Sequence, residues 1–272
     1  MRIKTLVENR TCNSNLETRH GLSLYIETKN HKILFDLGPD DTFLTNASQM
    51  NVEIKDIDMV VLSHGHMDHV GGLKAFMQVN SIAKIYVSKN IFDDHIKVKD
   101  GVVKNIGLSI PLLDDRFIFV EDDLVIDDTC RIFGQVQRRT QVIDDPYLFS
   151  KENGELVQDP FDDELYLLVK EEGKTFLFSG CSHKGIEQIV NAAMKQSNGQ
   201  LFAVIGGFHF SHFEANKEEH VQYLNKLGQM FQALGIPHFI SGHCTGKEAY
   251  HLLKTHLLDK LSALKTGETF HL

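Results

Sequence analysis

The sequence predicts an α/β protein whose sheets are covered by helices. Three observations carry this. Short β-branched strands alternate with amphipathic helices in both the first and the last third of the chain. The run Asp58–Leu62 (DMVVL) is continuously apolar after its first residue, as a strand buried on both faces should be. Hydrophobic residues make up 42% of the 272, enough for a large packed core and too many for a disordered chain.

Taken in order, Ile3–Val7, Leu22–Glu27 and Lys32–Asp36 are short, alternating or β-branched, and parted by polar turns, so they read as strands. Gly38-Pro39 breaks the chain, and Asp40–Met50 suits a helix. After the DMVVL strand come a helix over Gly71–Val79 and a strand over Lys84–Val87. From about 90 to 160 regularity falls away. Strand-like pieces (Arg116–Val120, Arg131–Val136) sit among acidic clusters at Asp114-Asp115, Glu121-Asp122-Asp123, Asp127-Asp128 and Asp144-Asp145. The segment reads as an insertion with a β-hairpin and long loops in a single domain spanning 1–272, and the clusters as solvated turns. Leu165–Lys170 and Thr175–Phe178 then form a hairpin around Glu172-Gly173-Lys174. A helix over Gly185–Gln196 and a strand over Leu201–Ile205 follow. Lys217–Leu234 is a long amphipathic helix stopped by Gly235, His238–Ile240 a strand, and Lys247–Leu257 the last helix.

Charge and cysteine usage narrow the function. With 37 acidic and 28 basic residues the net charge is -9, which disfavours a protein that grips nucleic acid through a basic surface. No apolar run is long enough to span a bilayer. Lys4, Glu8 and Arg10 interrupt any apolar start, so the chain reads as cytoplasmic. Cys12, Cys130, Cys181 and Cys244 are far apart and form no C-x-x-C pair, unlike a disulfide scaffold or a zinc ribbon.

The placement of the 15 histidines is the strongest signal. Directly after the DMVVL strand comes Ser63-His64-Gly65-His66-Met67-Asp68-His69-Val70-Gly71-Gly72, with four potential metal ligands within six residues. Side chains at i and i+2 of an extended loop can face one way, so His64 and His66 can share one cation. Asp68 and His69, a short turn on, can reach a second. Imidazoles with one carboxylate suit zinc first, and manganese or iron, but not calcium. Gly65 lets the backbone fold tightly between ligands, and Gly71-Gly72 can open the next helix where the chain passes close to the metals. Two such divalent transition metals would supply a bridging hydroxide of lowered pKa and a Lewis acid.

SHGHMDHVGGL resembles the H-x-H-x-D-H motif of the metallo-β-lactamase superfamily. Asp36 in ILFDLG matches that family's early Asp, which braces the metal loop, and His243 in ISGHCTG matches its final metal histidine. The resemblance implies a four-layer αββα sandwich with the metals in a cleft at the sheet edges. There is also a departure. Most members carry a bridging Asp after a later strand, whereas here the strand ends Phe178-Ser179-Gly180-Cys181-Ser182-His183, with Cys181 in the carboxylate's place. FSGCSH, with HGLSLYIE, IGGFHF and SGHCTG, is similar to a narrower subfamily labelled 7,8-dihydropterin-6-methyl-4-(β-D-ribofuranosyl)aminobenzene 5′-phosphate synthase.

From this resemblance we assign His64, His66 and His183 to one metal, and Asp68, His69 and His243 to the other. Cys181 is open to two readings, a metal-binding thiolate or a small buried residue under the site. His209, after Gly206-Gly207, is either a pocket residue (general acid, substrate contact or extra ligand) or a satisfied structural histidine. Asp163-Glu164 either braces a ligand histidine or simply starts a strand. His20 can overhang the site, and Asn9 and Arg10 can meet a substrate phosphate. The resemblance implies metal-assisted hydrolysis of a small anionic substrate, with Asp68 and His209 as the catalytic side chains. A transferase acting on a dihydropterin diphosphate is the alternative, and a non-catalytic metal or small-molecule binding protein is a third reading. Neither a nucleic acid nor a membrane is expected as a partner.

Overall fold

The computed structural model describes residues 1–108, 115–138 and 142–272. In chain order the elements are β1 (Arg2–Val7), β2 (Ser23–Glu27), β3 (Lys32–Phe35), α1 (Thr42–Gln49), β4 (Met59–Val61), α2 (Met67–Val70), α3 (Leu73–Val79) and β5 (Lys84–Ser88). Next come β6 (Ile96–Lys99), β7 (Val102–Asn105), β8 (Phe117–Val120), β9 (Asp123–Val125), β10 (Cys130–Phe133), β11 (Leu148–Glu152) and β12 (Glu155–Gln158). The last are β13 (Tyr166–Glu171), β14 (Lys174–Ser179), α4 (Ile186–Gln196), β15 (Ala203–Gly207), α5 (Glu218–Ala233), β16 (His238–Gly242), α6 (Lys247–Leu257), β17 (Leu261–Ala263) and β18 (Thr269–His271). They form two compact units. The first comprises Met1–Leu124, Pro146–Leu165 and Lys265–Leu272, the second Val125–Asp145 and Tyr166–Leu264.

The first unit is built on a seven-stranded sheet ordered β18-β1-β2-β3-β4-β5-β8. β3, β4, β5 and β8 run parallel, which buries the middle strands on both faces and explains the unbroken apolar run at β4. Phe43 and Ala47 of α1 and Leu73 and Phe76 of α3 pack with Leu34, Val60, Leu62, Ile85 and Val87 in one core. The helix expected over Gly71–Val79 is α3, which begins after Gly72, and a separate one-turn helix, α2, ends before Gly71. Both glycines have ordinary right-handed backbone, so their need is for space. A Cβ on Gly71 would strike the Pro39 carbonyl, and one on Gly72 the carbonyls of Leu37 and Asp40. The Leu37–Asp40 chain thus lies directly against this turn. β6, β7, β11 and β12 form a separate four-stranded sheet ordered β12-β11-β6-β7.

The region read as an insertion is more integrated than a hairpin with loops. β8 extends the first sheet, and β9 and β10 join the second, because Phe117–Val120 and Cys130–Phe133 each bury residues against neighbouring strands. The described acidic residues there include turn formers, such as Asp127 accepting from the Thr129 and Cys130 amides. Asp114 lies outside the described residues.

The second unit carries the sheet ordered β17-β16-β15-β14-β13-β10-β9. β13 and β14 form the expected hairpin. Its turn residues Glu172 (φ 50°) and Gly173 (φ 75°) are both left-handed, the geometry a two-residue turn needs to match strand twist. β14, β15, β16 and β17 run parallel. Ile186, Ile189 and Val190 of α4, Leu224, Leu227 and Phe231 of α5, and Ala249 and Leu253 of α6 bury their apolar stripes in one core. Phe231 stacks on Phe239 of β16 with centroids 4.8 Å apart. Glu218 and Glu219 occupy the first turn of α5, where the helix dipole favours them, and Gly235 (φ 69°) follows its end. No helix among the described residues is long and apolar enough to cross a membrane.

Candidate metal centre

In the first unit the histidine motif leaves the carboxyl end of β4 and is buried. His64 and His69 are fully inaccessible and His66 nearly so. Asp36 sits just past β3 with a left-handed backbone (φ 60°). This conformation costs about 1 kcal/mol or more and turns the carboxylate toward the motif. Its Oδ1 accepts the Ser63 amide at 2.7 Å, and its Oδ2 accepts the Ser63 hydroxyl at 2.7 Å. Oδ2 also lies 2.6 Å from His69 Nδ1. With a carboxylate there, Nδ1 is the donating nitrogen, which leaves Nε2 as the lone-pair nitrogen. Asp36 therefore ties the Ser63 turn to the His69 ring.

His64 Nε2 lies 3.1 Å from His66 Nδ1, and the rings meet edge to face with centroids 4.6 Å apart. His69 packs on His64 at 4.2 Å. Burial, with the neighbouring His69 and His66, holds His64 well below its ordinary pKa. Burial, with His95 beside it, lowers His66 to about 4. Both stand as neutral imidazoles, the form that binds a metal. The separation of their facing nitrogens is close to that of two ligands on a tetrahedral ion with metal–nitrogen bonds of about 2.0–2.1 Å. On donor type, protonation and spacing the residues fit a divalent transition ion. Asp68 is partly buried, with Oδ2 3.4 Å from His20 Nε2 and 3.8 Å from His69 Nε2. His20 thus does reach over the motif. Asn9 accepts the Gly21 amide at 3.2 Å, while the Arg10 side chain lies 3.8 Å from Glu8.

Behind His66 stands a cluster that sequence reasoning missed. His95 is buried, with Nδ1 3.1 Å from Asp159 Oδ2 and Nε2 3.2 Å from Asp163 Oδ2. Burial opposes its charge, but the adjacent Asp163 and the hydrogen bonds to Asp159 and Asp163 outweigh burial and raise its pKa to about 10. The same Asp163 Oδ2 accepts the Gly65 amide at 2.6 Å, so Asp163 ties the middle of the H-x-H loop to the cluster. Burial pushes the Asp163 carboxyl up, yet His95 brings its pKa below the usual value. The His95 ring meets His66 edge to face at 5.0 Å. Gly65 is required here, since a Cβ would run into the Ile91 carbonyl and the His95 ring. Asp163 thus holds the loop between His64 and His66 through the Gly65 amide and pairs with His95, which is not among the assigned ligands. No short motif announces His95 or Asp159, because the three residues come together only through the β6–β11 pairing of distant segments.

In the second unit the candidate residues follow three parallel strands at their carboxyl ends, where ligand sites of α/β sheets lie. Ser182 (φ 63°), His209 (φ 54°) and His243 (φ 51°) all take left-handed backbone directly beyond β14, β15 and β16. Such strain in non-glycine residues concentrates at functional sites. Cys181, His183 and His209 are buried, and their donor atoms lie within 4.8 Å of one another. The rings of His183 and His209 are 4.1 Å apart. Cys181, His243 and Cys244 form a second group within the same limit. Gly206 (φ 144°) passes so close to the Ser179 carbonyl that no side chain fits.

Comparison with known proteins gives these sites a context. The sequence model described as the Metallo-beta-lactamase superfamily matches residues 16–230. The chain is 30% identical to a 7,8-dihydropterin-6-methyl-4-(beta-D-ribofuranosyl)-aminobenzene-5'-phosphate synthase of Methanocaldococcus jannaschii, over 98% of this chain and 95% of that one. A solved structure described as a metal-dependent hydrolase of the beta-lactamase superfamily matches with TM-score 0.83 and 27% identity, covering 100% of this chain and 99% of the other. The metallo-beta-lactamase fold protein YhfI of Bacillus subtilis shares the fold at TM-score 0.58 and 12% identity, covering 99% of each chain.

Proposed function

Because the chain belongs to the metallo-β-lactamase superfamily and is an enzyme, we propose that it is a cytoplasmic, metal-dependent hydrolase of a small anionic, phosphate-bearing substrate. The observation that carries this is the buried pair of neutral imidazoles, His64 and His66, beside a His69 oriented by Asp36. In this reading the first unit offers His64, His66, Asp68 and His69 as metal ligands and the second offers His183 and His243, with zinc the first choice. The bound ions would supply positive charge that polarises the scissile bond and acidifies the attacking water. Asp68 orients that water and takes its proton. His209, fixed by its left-handed backbone, returns a proton to the leaving oxygen. The net charge of -9 leaves a small anion, not a nucleic acid, as the ligand that suits this positive centre.

The 30% identity to the synthase over nearly the full chain favours one alternative, in which the same residues hold a dihydropterin diphosphate, the nitrogen of an arylamine acceptor bonds to the pterin methylene carbon with loss of its proton, and diphosphate is released. A single screen separates the two. The purified, metal-loaded protein is incubated with phosphoesters, thioesters and lactones, and separately with a pterin diphosphate plus an arylamine acceptor. Phosphoester hydrolysis is expected. Diphosphate release only when the acceptor is present would establish the transferase, and no turnover of any substrate would remove both. Elemental analysis is expected to find more than one transition-metal equivalent, reduced in His66→Ala. Unchanged metal in that variant would strike His66 from the ligand set.

A further inference from the structure

Of the three buried cysteines of the second unit, Cys181 and Cys244 lie beside His243. Their sulfurs and a ring nitrogen of His243 lie within 4.8 Å of one another. Nothing in the H-x-H-x-D-H pattern calls for Cys244. We propose that Cys181, Cys244 and His243 form a thiolate metal site that takes a thiophilic ion of the zinc class. The proposal rests on the reading of His243 as a metal ligand and changes the chemistry of its ion.

Three features support it. The donor set is chemically selective: two sulfurs and an imidazole suit Zn(II) or Co(II) and disfavour Mg(II), Mn(II) and Ca(II). Both loops that carry these donors are held in place. Ser182 Oγ donates to the Gly207 carbonyl at 2.6 Å and pairs with Ser179 Oγ at 2.7 Å. Thr245 Oγ1 accepts the Phe208 amide at 3.0 Å and pairs with Ser241 Oγ at 2.6 Å. Ser182 and His243 also keep left-handed backbone, a cost that apolar packing of two small cysteines does not require. Finally, space is reserved for the sulfur. A Cβ on Gly207 would collide with Cys244 Sγ, and Cys244 Sγ lies 3.4 Å from the Cys181 carbonyl. The strand ends therefore bring the two cysteines together.

The test uses the full chain loaded with Co(II). The expected result is a near-ultraviolet sulfur-to-cobalt charge-transfer band that is retained in His64→Ala and loses half or more of its intensity in both Cys181→Ser and Cys244→Ser. Thiol labelling of the wild type gives a readout that needs no variant. Exposed Cys12 should react at one rate throughout, while Cys181 and Cys244 should react at least tenfold faster after the metal is stripped with a chelator. Bound Co(II) with no charge-transfer band, or labelling rates indifferent to metal, would overturn the proposal and leave the hydrolase reading standing. A band in a protein that hydrolyses nothing would support the thiolate site and count against hydrolysis. Failure to bind any ion would overturn both.

Discussion

His95→Ala should lose about 3–5 kcal/mol of stability, read as a lower denaturant midpoint at unchanged slope. The size follows from burial. His95 is the cationic partner of two buried carboxylates, at 3.1 Å from Asp159 and 3.2 Å from Asp163. Removing it leaves both facing each other without compensation, and an uncompensated buried charge costs more than an intact pair contributes. The effect has a pH signature. The folded pKa of about 10 stands above the ordinary value of 6.5, so the imidazolium's stabilisation is complete below about pH 6.5 and fades as pH rises through about 10. The gap separating wild type from variant should therefore narrow across that window. A gap under about 1 kcal/mol at neutral pH would show that the cluster is not an ion pair. Metal affinity should fall as well, by roughly 10–100-fold, because Asp163 also holds the Gly65 amide in the H-x-H loop.

Asp36→Ala should cost about 3–4 kcal/mol and most of the bound metal, checked by thermal unfolding and elemental analysis of the same preparation. One carboxylate accepts the Ser63 amide, the Ser63 hydroxyl and the His69 ring N–H, all within 2.7 Å. Its loss strands three buried donors. It also frees the His69 ring to rotate, so its second nitrogen no longer has a fixed aim. Asp36→Asn keeps the shape and one acceptor but turns an N–H toward a donor, so it should fall midway. Full metal content in Asp36→Ala would mean that His69 is aimed by packing alone.

The two effects differ in how far the sequence exposes their causes. The DMVVL strand, the H-x-H-x-D-H string and the Glu172-Gly173 turn were legible because each is decided by neighbours within a few residues. Asp36 was legible through its match to a family motif. His95 and Asp159 were not, since their meaning arises only when segments about sixty residues apart meet at buried charges. Gly71-Gly72 reads in sequence as a place where the chain passes close to the metals, whereas what approaches is the Leu37–Asp40 backbone, a partner with no local signature. β8 looked like part of an insertion because its apolar FIFV run lies among acidic clusters and names no partner locally, and only its parallel match to β5 places it. Cys244 has no local signature for a related reason. Its proposed role depends on Cys181, which lies in a different loop.

The pairing of β1 with β18 has a consequence for how the first sheet ends. β18, Thr269–His271, runs antiparallel to β1 from Arg2 to Lys4, on the edge opposite β2. Without that neighbour β1 would present a row of unpaired amides and carbonyls, the template on which a second chain could add a strand. A three-residue segment far away in sequence thus keeps a buried strand from becoming an adhesive edge.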